Sequence, residues 1–260
     1  MKKQYITRGF IAASLLGMSL IANATVSPTP NTFHTIYANN FGSGSSYSTT
    51  FLGDINANFT AKVGANAGKF SIKPGQDGYQ GIGVSPLGHV SERTPGEIDI
   101  GESVNASFSK GIFITSFSLG LLFDGPEYKD VNEVAQVKVG YLDGTYGTFT
   151  LTAKGATTAI WSGTGSFVSN LSPAKDSKGG AWQVSNPFGN VRVTSLSFGA
   201  VAGMSAATGC GTGHHYTACT NQSDYTLLNI TAVPEPETYA MMLIGLFGIG
   251  FVARRKQSQL

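Results

Sequence analysis

The chain has 260 residues, with 17 basic and 15 acidic side chains, a formal net charge of +2 and only 12% charged residues. Six of the basic residues (Lys2, Lys3, Arg8, Arg254, Arg255, Lys256) and two of the acids (Glu235, Glu237) lie at the ends, leaving 11 basic against 13 acidic side chains between them. A near-neutral body has no basic stripe with which to grip nucleic acid, and with 34 glycines and few charges its polar surface falls to Ser, Thr and Asn, as in exported β-proteins and in faces that meet neutral sugars.

Lys2, Lys3 and Arg8 precede an apolar stretch from Phe10 to Ile21, which ends in Ala22-Asn23-Ala24. Charged region, apolar region and small-x-small site are the parts of a secretory signal peptide, so residues 1–24 are expected to be removed by signal peptidase after Sec export, with Ala22 and Ala24 at the cleavage site. The mature chain then starts at Thr25.

Residues 25–232 read as one β-rich ectodomain. Nothing in it is apolar for long enough to cross a bilayer, because the stretch from Ile112 to Phe123 is broken by Thr115, Ser116, Ser118 and Gly120. Short runs with period-two alternation recur instead. Val104, Ala106 and Phe108 share one face, and Phe113, Phe117, Leu119, Leu121 and Phe123 another. Ala135 to Tyr141 and Tyr146 to Ala153 alternate on either side of Asp143-Gly144, a strong hairpin signal. Later runs cover 191–193, 196–198 and 225–230, with weaker ones at 33–37, 57–63 and 69–73. About ten strands without helical periodicity predict an all-β fold, a β-sandwich or jelly-roll-like body. Gly81-Ile82-Gly83 lacks the third glycine of a phosphate loop and reads as turn, and Gly163 to Asn190 reads as a long loop.

In E-I-D-I-G-E, strand alternation would turn Ile98 and Ile100 to the core, set Glu97 and Asp99 side by side on the solvent face and bring Glu102 inward. An inward carboxylate needs relief: a bulge at Gly101, an ion pair such as one to Arg93, or a structural Ca2+ held by Asp99, Glu102, Asp124 and Asp130. No other cofactor is expected. Acid pairs of this kind also serve glycoside hydrolases, which need two carboxylates about 5–9 Å apart across a sugar. No G-x-S-x-G elbow exists and His residues are few, so a non-catalytic body is the preferred reading, with a secreted glycoside hydrolase or a Ca2+-stabilised adhesion module as alternatives. Trp161, Trp182, Tyr79, Tyr128, Tyr146 and Tyr216 fall in or near predicted turns, where rings either stack on sugars or pack into the core and rim, the latter preferred. Cys210 and Cys219 flank His214-His215. A Cys2His2 metal site is the sharper reading and a disulfide the preferred one, since export is oxidising and adjacent histidines on a strand point apart.

Residues 233–260 read V-P-E-P-E-T, then an apolar run from Tyr239 to Ala253, then Arg254, Arg255 and Lys256. As a helix that run reaches only about 22 Å, short of the roughly 30 Å hydrocarbon core of a bilayer. The basic end holds the C-terminus on the cytoplasmic side and the body outside.

The segment from Val233 to Lys256 closely resembles the PEP-CTERM sorting signal of exported bacterial proteins. That resemblance implies recognition by exosortase, a membrane-embedded cysteine transpeptidase, with cleavage near Pro234-Glu235-Pro236 and Arg254, Arg255 and Lys256 as the signal's basic end; the alternative is an ordinary C-terminal hydrophobic anchor, against which the shortness of the apolar run counts. It further implies passage through the inner membrane of a Gram-negative cell to the envelope, outer surface or exopolysaccharide matrix. The body, notably G-E-I-D-I-G-E and the later L-G-L-L-F-D-G-P-E, is loosely similar to ectodomains that accompany this signal, and identifies no ligand. Extracellular polysaccharide is the expected binding partner.

Overall fold

The computed structural model describes residues 33–75, 78–88, 94–125, 131–172, 180–204 and 223–233. Both expected membrane-related segments lie outside these residues, and among the described residues no helix is long and apolar enough to cross a membrane.

The described chain is all-β. Its strands are β1 (His34–Tyr37), β2 (Ser46–Phe51), β3 (Ile55–Val63), β4 (Asn66–Pro74), β5 (Gln80–Pro86), β6 (Glu102–Leu122), β7 (Asn132–Tyr141), β8 (Tyr146–Gly155), β9 (Thr158–Trp161), β10 (Phe167–Asn170), β11 (Gly180–Ser185), β12 (Val193–Met204) and β13 (Thr226–Val233), with one 3-10 turn at Ala38–Phe41. One antiparallel array runs β2-β3-β6-β12-β7-β8-β9. The other places β13 between β6 on one side and β1 and β5 on the other, with β4 beyond β5 and β11 and β10 beyond β6.

The 21-residue β6 belongs to both arrays: its first half pairs with β3 and β12 and its second with β11 and β13. A strand serving two arrays must change which residues face inward. Val104, Ala106 and Phe108 are buried, then Ile112 and Ile114, then Phe117 and Leu119. Phe108 and Ile112 are four residues apart, so the irregularity opposite Val193/Ser195 skips one inward position without changing face, whereas the step from Ile114 to Phe117 does change face, at the register shift opposite Thr231/Ala232. The single alternating face expected for Phe113, Phe117, Leu119, Leu121 and Phe123 is therefore corrected: Leu121 has a φ of 58° and is half-buried, while Leu122 takes the core position. A one-residue shift moves a strand's side chains to the other face, and bulges supply that shift.

One core lies between the arrays. Phe117 from β6 packs on Trp161 and Phe198 with ring centroids 5.3 and 5.5 Å apart. At the other end Phe41 bridges Phe59 of β3 and Phe70 of β4 at 4.4 and 5.2 Å.

The Asp143-Gly144 hairpin joins β7 to β8, Gly144 having a φ of 85°. Two loop expectations are overturned. Gly81 and Gly83 lie inside β5, where glycine is required by close approach: a Cβ at Gly83 would stand 2.2 Å from the Gly96 carbonyl oxygen, and one at Gly81 2.2 Å from the Thr226 hydroxyl. The 163–190 segment contains β10 and β11, and its Trp182 is fully buried with Nε1 donating to the Leu122 carbonyl at 2.8 Å.

Candidate functional site

Two surfaces gather the residues that carry chemistry. The first lies where the 94–102 segment, the ends of β4, β6 and β7, and the start of β13 converge. The 94–100 stretch is no strand: Glu97, Ile98 and Asp99 are all buried, whereas Ile100 is 48% exposed and forms only an isolated bridge to Ala200. The expectation that Glu97 and Asp99 share a solvent face is corrected. Backbone contacts of this segment to Val84 and Tyr225, at 2.9 and 2.7 Å, hold it across strand ends instead of along an edge, so alternation does not apply.

Glu102 does turn inward, and backbone amides satisfy the acids here. Its Oε2 accepts from the Asp99 N–H at 3.0 Å, and Asp99 Oδ2 accepts from the Thr94 N–H at 3.1 Å. Gly101 has a φ of 92°, the left-handed turn that lets the Glu102 N–H reach back to the Asp99 carbonyl at 2.9 Å.

Beside this turn stands a carboxyl group the sequence did not single out, Asp224, whose Oδ2 accepts from the Thr94 hydroxyl at 3.0 Å. Glu97 is 5% exposed and paired with Lys73 of β4. Its pKa is pushed up to about 8, first by burial and then by the charge of Asp224 and a hydrogen bond to it, with Lys73 opposing. Glu133 of β7 is also raised well above the ordinary carboxylate range, by burial and then by Asp224, although the Phe123 N–H donates to it. Glu97, Asp224 and Glu133 come from segments far apart in sequence, so alternation in any one of them carries no sign of the cluster. Chemically Glu97 and Glu133 are groups that hold their protons, since each is buried beside the charge of Asp224 and only Glu97 has a lysine against it.

Of the expected calcium set, Asp99 and Glu102 are brought together as amide acceptors and Asp124 is half-buried after β6, where the Gly125 N–H donates to Asn132 Oδ1. Asp130 lies outside the described residues, as do Arg93, Ala22, Ala24, Cys210, His214, His215, Cys219, Pro234, Glu235, Pro236, Arg254, Arg255 and Lys256. Among the described residues no three His, Cys, Asp or Glu side chains are placed to share a metal ion.

The second surface is the outward face of the β2-to-β8 array. Register aligns Ser48, Asn58, Ser107, Ser195, Gly140 and Tyr146 in one row across six strands. Ser46, Thr60, Asn105, Ser197, Lys138 and Thr148 form the next. Their strand neighbours Ala57, Phe59, Ala106, Leu196 and Val139 are buried, which turns these rows outward. Neither row contains an acid. Among the candidate stacking aromatics, Trp161 and Trp182 belong to the core, Tyr79 is part-buried with its hydroxyl on the Leu171 carbonyl, and Tyr128 and Tyr216 lie outside the described residues. Tyr146 stands apart at 84% exposed.

The last described strand, β13, ends at Val233, and the next residue in the sequence is Pro234. Residues 232–256 match the family model described as the PEP-CTERM protein-sorting motif. The chain carries a PEP-CTERM sorting motif. No curated protein and no solved structure matches the chain. The PEP-CTERM motif supports an exported, exosortase-sorted protein, with exosortase as its processing partner and the cell surface as the direction of sorting.

Proposed function

We propose that the protein is a non-catalytic, carbohydrate-binding component of the cell envelope or exopolysaccharide matrix, released from the inner membrane by exosortase after Sec export and signal-peptide removal. The observation that carries the sorting half is the PEP-CTERM motif at residues 232–256, which begins in the last two residues of a core strand. Processing there separates the body from a basic, apolar tail and adds nothing the fold lacks. A matrix role is supported by the polar surface, where Ser, Thr and Asn replace the usual charges over a broad sheet face. The non-catalytic reading is supported by the setting of the acids: Glu97 is sealed beneath Lys73, and Asp99 and Glu102 accept from backbone amides. A glycosidase needs its carboxylates on either side of a sugar.

Cell fractionation tests the sorting reading. In cells with exosortase the body should be found at the surface or in the matrix without its Arg254-Arg255-Lys256 end, and in cells lacking the enzyme it should stay in the inner membrane with that end intact. Identical distribution and mass in both strains would refute it.

A further inference from the structure

We infer that the outward face of the β2-to-β8 array binds an uncharged polysaccharide chain, with the Tyr146 ring as its stacking anchor. This rests on the carbohydrate-binding reading above and assigns that reading a surface.

Charge selects the occupant. A solvated sheet face ordinarily gains its solubility from lysine and glutamate. Across the two register rows Lys138 is the only ionic side chain, and the rest of the polar groups are hydroxyls and amides. Ser, Thr and Asn both donate and accept hydrogen bonds, as sugar hydroxyls do, and offer little to an ionic polymer. A protein partner would be expected to meet an apolar centre rich in aromatic residues, Met and Arg. This face has a single aromatic ring in those rows.

That ring is placed for stacking. Tyr146 pairs across strands with Gly140, and an ideal Cβ at Gly140 would lie 3.3 Å from Tyr146 Cε1, so the glycine leaves the ring room to rest over the β7 backbone. One side of the ring covers the glycine while the side chain remains 84% exposed. An exposed aromatic side chain held this way supplies an apolar platform at low entropic cost. From it the row runs back through Ser195, Ser107 and Asn58 to Ser48, five interstrand steps of about 4.8 Å, or roughly 24 Å.

The polar groups along that track are preset. Asn58 Oδ1 accepts from the Ser48 hydroxyl at 3.0 Å, and the neighbouring Asn56 Oδ1 accepts from Thr50 at 2.8 Å. Side chains already fixed by strand and hydrogen bond lose little freedom when a ligand arrives.

Affinity electrophoresis tests the assignment. The full chain, purified in detergent from cells lacking exosortase, is run through native gels containing dextran, hydroxyethyl cellulose, alginate or the producing cells' own exopolysaccharide. Retardation by an uncharged polymer that persists at high salt is expected. Tyr146→Ala should weaken it about tenfold, Tyr146→Phe should keep most of it, and Phe167→Ala, which removes a 69% exposed ring on β10 of the other array, should leave it unchanged. Retardation that survives both Tyr146→Ala and Ser107→Asp overturns the assignment but leaves carbohydrate binding standing on another surface. Retardation by alginate alone, lost at high salt, overturns the uncharged ligand. No retardation by any polymer, the cells' own included, removes the carbohydrate-binding reading along with its surface.

Discussion

Raising the pH from 5 to 9 should destabilise this protein, and Glu97 should account for much of the loss. Its folded pKa of about 8 lies above the 4.5 of an ordinary glutamate, so between those values the folded state binds a proton that the unfolded state has released. Stability is then fully present below about 4.5 and is lost as the pH climbs through about 8. The gap of roughly 3.5 units, at 1.36 kcal/mol each, sets a ceiling of about 5 kcal/mol. For a body of this size that corresponds to a fall in melting temperature of roughly 10–20 °C. Glu133, raised by the same causes, adds to the slope in the same direction. The assay is thermal unfolding of the purified full chain across the range, beside Glu97→Gln, which keeps the shape and removes the titration. At pH 9 the Gln variant should be the more stable, and at pH 5 the two should nearly coincide. A flat wild-type profile, or a Gln variant with an unchanged slope, would show that burial and Asp224 do not hold the proton as reasoned.

Three substitutions test the packing. Gly83→Ala drives a methyl into the Gly96 carbonyl and the Glu97 backbone, 2.2 and 2.4 Å from the ideal Cβ, and should cost about 2–3 kcal/mol by urea unfolding; Gly155→Ala, with nothing within 4 Å, should stay within about 0.5 kcal/mol. Ser118 Oγ is buried without a hydrogen-bond partner among the described residues, so Ser118→Ala is expected to stabilise the fold by up to about 1 kcal/mol, and a comparable loss would reveal a partner for that hydroxyl.

Much of the fold was legible because alternation is local. Ala135 to Tyr141, the Asp143-Gly144 turn and the run after Tyr146 could be read directly, and β7 and β8 lie where that reading places them. Strands without a clean apolar stripe were missed. In β2, S-Y-S-T-T-F, the strand lies at the array's edge beside β3 and buries only Phe51 fully. In β5 the glycines that suggested turns are demanded by backbones crossing at Gly96 and Thr226, a tertiary cause invisible in the local pattern. The acid site was half legible for a similar reason. Glu102 facing inward followed from its own strand, but Glu97 obeys contacts with Val84 and Asp224, from segments remote in sequence. Tyr146 could be named as a candidate from sequence, yet only the register to Gly140 separates it from Trp161 and Trp182, whose rings are spent in the core.

The placement of β13 joins folding to sorting. Ala232 pairs with Ile114 on one side and His34 on the other, and Val233 pairs with Phe113, so the residues that open the PEP-CTERM match are also interior parts of the sheet. Until they arrive, the second half of β6 faces β1 and β5 across a missing strand, leaving backbone edges unpaired, a state prone to wrong pairing. From Val233 to Tyr239 is six residues, a reach of at most about 22 Å. In the proposed route the body therefore closes its sheet only when the chain has emerged as far as the tail, and does so close to the bilayer holding that tail. His34 lies opposite Ala232, which brings the start of β1 and the end of β13 together at one end of the sheet. An exosortase acting near Pro234-Glu235-Pro236 then meets a peptide one residue beyond a completed strand, and cutting there leaves every ladder bond of β13 in place.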